Sequence, residues 1–412
     1  MKKGRKIGLK IAGSLLLLFI TFVAGAYFGA MYTVRQFGAG AEVRTVYLQR
    51  EQFVDDFTEI SDIVKKNYSL LESKQIDADS LFQVYLRYVK AAESFDEYRT
   101  LLLRYFAELR NSHTNVFLQP WYNIDGTALL VENRVFIDRV GRSLAFFGVN
   151  VHDEIIAVEG IPVLEWISEQ QRYVNASTDN SRFHGAVRRI FSNHLPGTRT
   201  LLLNTPLGEK EVTLSFVSNQ MNNTIAHAIN DYIGYIEIRS MQGNVVDEFR
   251  NQFEKLREKP TLIIDVRRNG GGNSMFSEDI VEYLIREEQR ASVGRRRLRP
   301  QENHFEGKLI VLTGVTTFSA AESFVLDLKE SGNAILIGSE TVGCTGLGPQ
   351  NFATSLGTSF RFPTRTLSLS PQGFPMEGIG IPPHIFVYQT VEDYLNGVDT
   401  VLEFAINFAS QQ

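Results

Sequence analysis

The sequence predicts a multidomain protein of mixed α+β and α/β class: an N-terminal transmembrane helix, a helical subdomain, a small β module and an α/β core. Three observations carry this. A charge-free apolar stretch follows a basic N-terminus. Apolar residues then recur three and four apart up to about residue 112. From about residue 226, continuous apolar runs alternate with helical patterns, as in a parallel sheet flanked by helices. With 412 residues, 43% hydrophobic and 22% charged, the chain is long enough for two or three domains, each burying its own core.

Lys2, Lys3, Arg5, Lys6 and Lys10 precede the charge-free stretch 11–34. That stretch exceeds the ~20 residues needed to cross a ~30 Å hydrocarbon core. The basic flank places the N-terminus in the cytoplasm and everything after residue 34 outside, as a single-pass protein of the cell membrane. Ala24-Gly25-Ala26 resembles a small-residue cleavage site, so a cleaved signal peptide and secretion form the alternative.

Residues 45–120 read as helical. Phe53-Val54-Asp55-Asp56-Phe57-Thr58-Glu59-Ile60 starts the spacing, which continues through Leu81-Phe82-Gln83-Val84-Tyr85-Leu86 and from Tyr98 to Leu109. The segment ends at Arg110-Asn111-Ser112-His113-Thr114. Between 125 and 217 the pattern changes to short strands. Val135-Phe136-Ile137 is one, Ile155-Ile156-Ala157-Val158 between glycine turns is another, and Thr200-Leu201-Leu202-Leu203-Asn204 with Lys210-Glu211-Val212-Thr213-Leu214 reads as a hairpin. The order glycine-apolar, Asp153, Ile155-Ile156-Ala157-Val158, Gly160 resembles the PDZ domain; any small β subdomain is the plainer reading. In 226–412, Ile233-Gly234-Tyr235-Ile236-Glu237-Ile238 alternates. Thr261-Leu262-Ile263-Ile264-Asp265-Val266, Leu309-Ile310-Val311-Leu312-Thr313 and Ala334-Ile335-Leu336-Ile337 are continuous apolar runs, expected of strands buried on both faces. A helix over 276–285 aligns Phe276, Ile280, Val281 and Leu284.

Composition excludes little but points consistently. A formal net charge of -5 gives no reason to expect nucleic acid, and Arg295-Arg296-Arg297 reads as a solvated turn. The one cysteine, Cys344, cannot form an intramolecular disulfide or build a thiolate metal site. There is no His-Glu-x-x-His helix either, so neither a metal nor an organic cofactor is expected.

Ser319 follows the run Leu309 to Thr313 after a short turn and opens a helix, Ala320-Ala321-Glu322-Ser323-Phe324-Val325-Leu326-Asp327-Leu328. A serine on that turn sits at the carboxyl edge of the sheet, where unpaired N–H groups and the helix dipole favour a developing negative charge. A serine that merely caps the helix is the ordinary alternative. Asn269-Gly270-Gly271-Gly272 follows another buried run, and its glycines can bring backbone N–H groups close to a substrate or simply make a tight turn. Ser112-His113 and Glu377 are single residues whose spacing cannot bring them together.

Four segments in order, Asn111-Ser112-His113-Thr114, Ile264 to Gly272, Thr317-Phe318-Ser319-Ala320-Ala321-Glu322 and Glu377-Gly378-Ile379-Gly380-Ile381-Pro382, resemble the serine peptidases of C-terminal processing (tail-specific) type and the tricorn protease core. The PDZ-like module between the first two matches that family's order. The resemblance covers about residues 45–395; with the basic tail and anchor at 1–34, the domains are expected at 45–120, 125–217 and 226–412, the last a ClpP/crotonase-like α/β peptidase core. Tail-specific members use a Ser–Lys dyad, but the matching run Gly338-Ser339-Glu340-Thr341-Val342-Gly343-Cys344 carries cysteine in place of the lysine. The tricorn style remains: Ser319 as nucleophile, His113 as base, and Glu377, directly or through Ser112, orienting the imidazole. Gly271 (or Gly270) and Ala320 would form the oxyanion hole. Cys344 is expected as a buried, inert thiol or a stand-in for the lysine. Asn111 and His384 depart from the family's usual aspartates. The implied partner is a peptide or unfolded protein captured by the PDZ-like module, outside the cytoplasm. Two rivals stand beside this reading. One is a non-catalytic protein binding peptides or hydrophobic ligands on the same fold. The other is an α/β-hydrolase esterase, which would need a Gly-x-Ser-x-Gly elbow and histidine last in chain order.

Overall fold

The computed structural model describes residues 47–118, 122–216, 224–346, 348–365 and 368–410. The expected transmembrane segment 11–34 lies outside them. Among the described residues no helix is long and apolar enough to cross a membrane. Val46–Gln412 form one compact unit.

Three helices open the described chain: α1 (Phe53–Asn67), α2 (Ala78–Ala91) and α3 (Phe95–Glu108). Asp77 starts α2 and Ser94 starts α3, each accepting N–H bonds of the first turn. Their apolar faces meet in an aromatic core of Phe53, Phe57, Tyr98, Tyr105 and Phe106. Phe360 and Phe362 belong to the same cluster although they lie far along the chain, so this subdomain is completed by the C-terminal region.

The β module has strands β1 (Gly126–Val131), β2 (Arg134–Val140), β3 (Glu154–Val158), β4 (Thr198–Thr205) and β5 (Gly208–Ser215). They pair antiparallel in that order, which leaves β1 at one edge. Helices α4 (Val163–Gln170) and α5 (Asp179–Arg188) pack against the sheet, with Trp166, Ile167, Ala186 and Val187 in its core. The spacing shows β2 to β5 of this module but neither the edge strand β1 nor either helix.

The core sheet runs β6 (Thr224–Ala228), β7 (Ile233–Ile238), β8 (Thr261–Asp265), β9 (Lys308–Thr313), β10 (Ala334–Gly338), and then the short strand β11 (Ile385–Phe386). All pairs except β6–β7 are parallel. Every residue of β8 is buried, as its unbroken apolar run requires. Helices α6 (Val245–Leu256), α7 (Ser274–Val281) and α8 (Ala320–Glu330) cover one face, and α9 (Thr400–Ser410) the other. The result is a three-layer α/β/α sandwich whose loops after β8 and β9 leave from the same carboxyl edge.

Candidate active site

The turn 314–318 carries the chain from β9 to Ser319 at the head of α8. It is pinned to the loop after β8: Phe318 N–H donates to Asn269 O at 3.0 Å, and Thr317 Oγ1 to Val266 O at 2.9 Å. Ser319 itself has φ 58° and ψ −117°, a conformation that costs a non-glycine residue about 1–3 kcal/mol and persists because its surroundings over-determine it. Its N–H donates to the Glu322 carboxylate at 2.9 Å.

Glu322 is fully buried and ties the turn to the segment after β10. It accepts from Thr341 Oγ1 and from Gly343 N–H, both at 2.7 Å, and from Cys344 N–H at 3.1 Å. Burial pushes its carboxyl up to about 7, against the pull of these donors.

His113 comes from the turn just after α3. Its N–H donates to Asn111 Oδ1 at 2.8 Å, a local side-chain turn that orients the residue. Its Nε2 lies 2.8 Å from Ser319 Oγ, and its ring packs on Phe318 with centroids 4.9 Å apart. Burial, with a smaller effect from Arg361, lowers its pKa to about 3, so the ring is neutral at ordinary pH.

Behind the histidine the structure differs from expectation. Nδ1 meets Cys344 Sγ at 2.9 Å, so the thiol stands where Glu377 was expected. Glu377 lies beyond it, in an isolated antiparallel bridge with Cys344, and its carboxylate pairs with Lys74 Nζ at 2.7 Å. Ser112 is turned away: it exchanges hydrogen bonds with Ser177 through Oγ at 2.9 Å and through N–H at 3.0 Å. The cysteine is buried as expected, but it belongs to the site. Lys74 had no motif around it, and nothing in the sequence marked it.

The loop after β8 is the other wall. Gly271 has φ +84°, and a Cβ there would lie 2.5 Å from Phe318 O, so only glycine fits against the serine turn. Of the two glycines named for the oxyanion hole, Gly271 donates its N–H to Asn269 Oδ1 at 2.8 Å, and Gly270 is the exposed one. The Ala320 N–H, at the first position of α8, has no partner carbonyl within its own helix.

A cavity of about 670 Å³ adjoins this edge. Val315 and Thr316 of the serine turn line it, together with Ala128 to Val131 of the edge strand β1 and His184 and Val187 of α5.

A serine on a strained strand-to-helix turn, in contact with a buried neutral histidine, is the arrangement of a serine hydrolase. Residues 232–387 match peptidase family S41, and residues 130–208 match the N-terminal domain of S41 peptidases of Bacteroidetes. Residues 232–387, the α/β core, are thus those of peptidase family S41. It is 32% identical to the tricorn protease of Thermoplasma acidophilum over 178 residues, 42% of this chain and 16% of that protein. Its identity to the tricorn protease of Thermoplasma volcanium is 27% over 271 residues, 64% of this chain and 25% of that protein. The carboxy-terminal processing protease CtpB of Bacillus subtilis is 25% identical over 203 residues, covering 47% of this chain and 41% of CtpB. The chain thus spans about a sixth to a quarter of the length of the two tricorn proteases. Among solved structures, mature CPAF complexed with lactacystin shares the fold with a TM-score of 0.71 at 14% identity, covering 88% of this chain and 99% of that one.

Proposed function

We propose that this chain is a serine-type peptidase in which Ser319 is the nucleophile and His113 the general base. The observation that carries the reading is the 2.8 Å contact between Ser319 Oγ and Nε2 of a buried histidine, on a turn whose backbone is strained at the serine. In this mechanism His113 Nε2 removes the hydroxyl proton as Oγ attacks the scissile carbonyl carbon. The oxygen that gains charge is held by the N–H groups of Ala320 and Gly270. Collapse breaks the C–N bond, and His113 returns the proton to the leaving amine, leaving an acyl-enzyme on Ser319. Water, deprotonated by the same nitrogen, then releases the new carboxyl terminus. An oxyanion donor is worth roughly 100- to 1000-fold in rate. Glu377 acts on the histidine from behind Cys344, and Ser112 holds the His113 turn to Ser177.

The substrate is an extended peptide or unfolded protein. The free edge of β1, lining the cavity beside the serine turn, supports capture as an added strand by a PDZ-like module. The apolar stretch 11–34 supports a membrane anchor that holds the catalytic part outside the cytoplasm, or else a signal peptide that is removed on secretion. The test is to incubate the full chain with an unfolded polypeptide and identify products by mass spectrometry. Cleavage that disappears in Ser319→Ala and His113→Ala supports the reading. Binding of the polypeptide without cleavage would instead identify a non-catalytic binding protein on this fold.

A further inference from the structure

We propose that Cys344 is a positioning residue for His113: its sulfur accepts the Nδ1–H and so holds the ring in the tautomer whose bare Nε2 faces Ser319. This rests on the peptidase reading above.

A neutral imidazole carries one proton, on one nitrogen or the other. Only the tautomer with hydrogen on Nδ1 leaves Nε2 free to take the serine proton. The two ring nitrogens here have one partner each, Ser319 Oγ at 2.8 Å and Cys344 Sγ at 2.9 Å. If the thiol donated its hydrogen to Nδ1, the ring would carry hydrogen on Nε2 and could not act as base.

The surroundings of the sulfur decide between the two. Burial, and after it the charge of Glu377, raises the Cys344 thiol well above its usual range, so it keeps its hydrogen. The hydrogen has a better acceptor than the ring: the Glu377 carboxyl group, an ion-pair partner of Lys74 at 2.7 Å, interacts with the Cys344 side chain across their backbone bridge, and its two buried oxygens accept no hydrogen bond from the described residues. With S–H turned to Glu377, the sulfur lone pairs face His113 Nδ1 and Asn111 Nδ2, the latter at 3.5 Å. The line then reads Lys74, Glu377, Cys344, His113, Ser319: Lys74 faces the carboxylate from one end, and the Ser319 O–H, the His113 Nδ1–H and the Cys344 S–H all point toward that carboxylate from the other.

The backbone holds the thiol in this place from two sides. Cys344 N–H donates to Glu322 Oε2, the same oxygen that accepts the Ser319 N–H. Gly378 N–H donates to Gly343 O at 2.8 Å, which fixes the strand bearing Glu377 alongside. One buried carboxylate therefore sets both the nucleophile and the residue behind its base.

The test uses the full chain with ¹⁵N-labelled histidine, and Cys344→Ser and Cys344→Ala beside the wild type. In the wild type, His113 Nδ1 should be protonated and Nε2 bare. Cys344→Ala should shift the ring toward hydrogen on Nε2 and slow labelling of Ser319 by a fluorophosphonate roughly 10- to 100-fold. That is less than the ~10⁴-fold loss when the carboxylate of a serine protease triad is replaced, since neutral sulfur is a weaker acceptor. Cys344→Ser, which keeps both a donor and an acceptor, should restore the tautomer and most of the rate. A bare Nδ1 in the wild type, or equal labelling in Cys344→Ala, overturns the proposal. Should the alanine variant not fold, the wild-type spectrum and the serine variant decide by themselves. Failure of wild-type Ser319 to label at all counts against the peptidase reading, whereas the tautomer judges the thiol independently.

Discussion

At Ser319 the chain adopts φ 58°, ψ −117°, a region that glycine enters freely and other residues do not. Replacing it by glycine therefore relieves strain, while alanine keeps the strain and loses the hydroxyl. Ser319→Gly should be more stable than Ser319→Ala by about 1 kcal/mol or more in denaturant unfolding, with both inactive. Equal stabilities, or a less stable glycine variant, would show that the turn is not strained. This feature could not be read from the sequence, where Thr317-Phe318-Ser319-Ala320-Ala321 also suits a plain helix cap. His113 and its pairing with Ser319 were legible through the family segments, but the thiol at its other ring nitrogen was not. The contact with Cys344 depends on the register between 343 and 378, and spacing says nothing about that.

Among the elements, α8 carries more than the serine. Asp327, two turns further along, is buried and accepts from Ser292 N–H at 2.6 Å, tying the helix to the 289–298 hairpin. Burial raises its pKa from 3.8 to about 7. Between those values the folded state holds a proton that the unfolded state has lost. The stabilising contribution is therefore present below about pH 4 and is lost as the pH rises through 7. Asp327→Asn should gain stability relative to wild type on going from pH 4 to pH 8, by up to ~1.4 kcal/mol per unit within that window. A constant difference across the range would mean the group is not shifted. Element by element, β8 to β10 were legible because strands buried on both faces must be apolar throughout, and β7 by its alternation. Helices α4 and α5 were not, being short and set between strands, with α5 carrying polar residues on most positions.

At the scale of the molecule, the site is assembled from three regions of the chain. The aromatic subdomain supplies His113 and Lys74, the sheet supplies Ser319, and the C-terminal loops supply Cys344 and Glu377. The Lys74–Glu377 pair joins the first to the last, with both side chains largely buried, at 13% and 3% exposed. Lys74→Met leaves a buried carboxylate without its cation and should destabilise the chain by about 3–5 kcal/mol, whereas Lys74→Met with Glu377→Gln should recover part of that loss. No recovery in the double variant would mean that the two residues act separately. Such long-range joins carry no local sequence signal, which explains why Lys74 went unmarked while the four family segments stood out.

Whether Ser319 is an activated nucleophile is tested by covalent labelling of the full chain with a fluorophosphonate, the adduct being located by mass spectrometry. The expected result is an adduct on Ser319 that disappears in Ser319→Ala and weakens strongly in His113→Ala. A folded wild-type chain that takes no label at Ser319, or labels equally without His113, would contradict it.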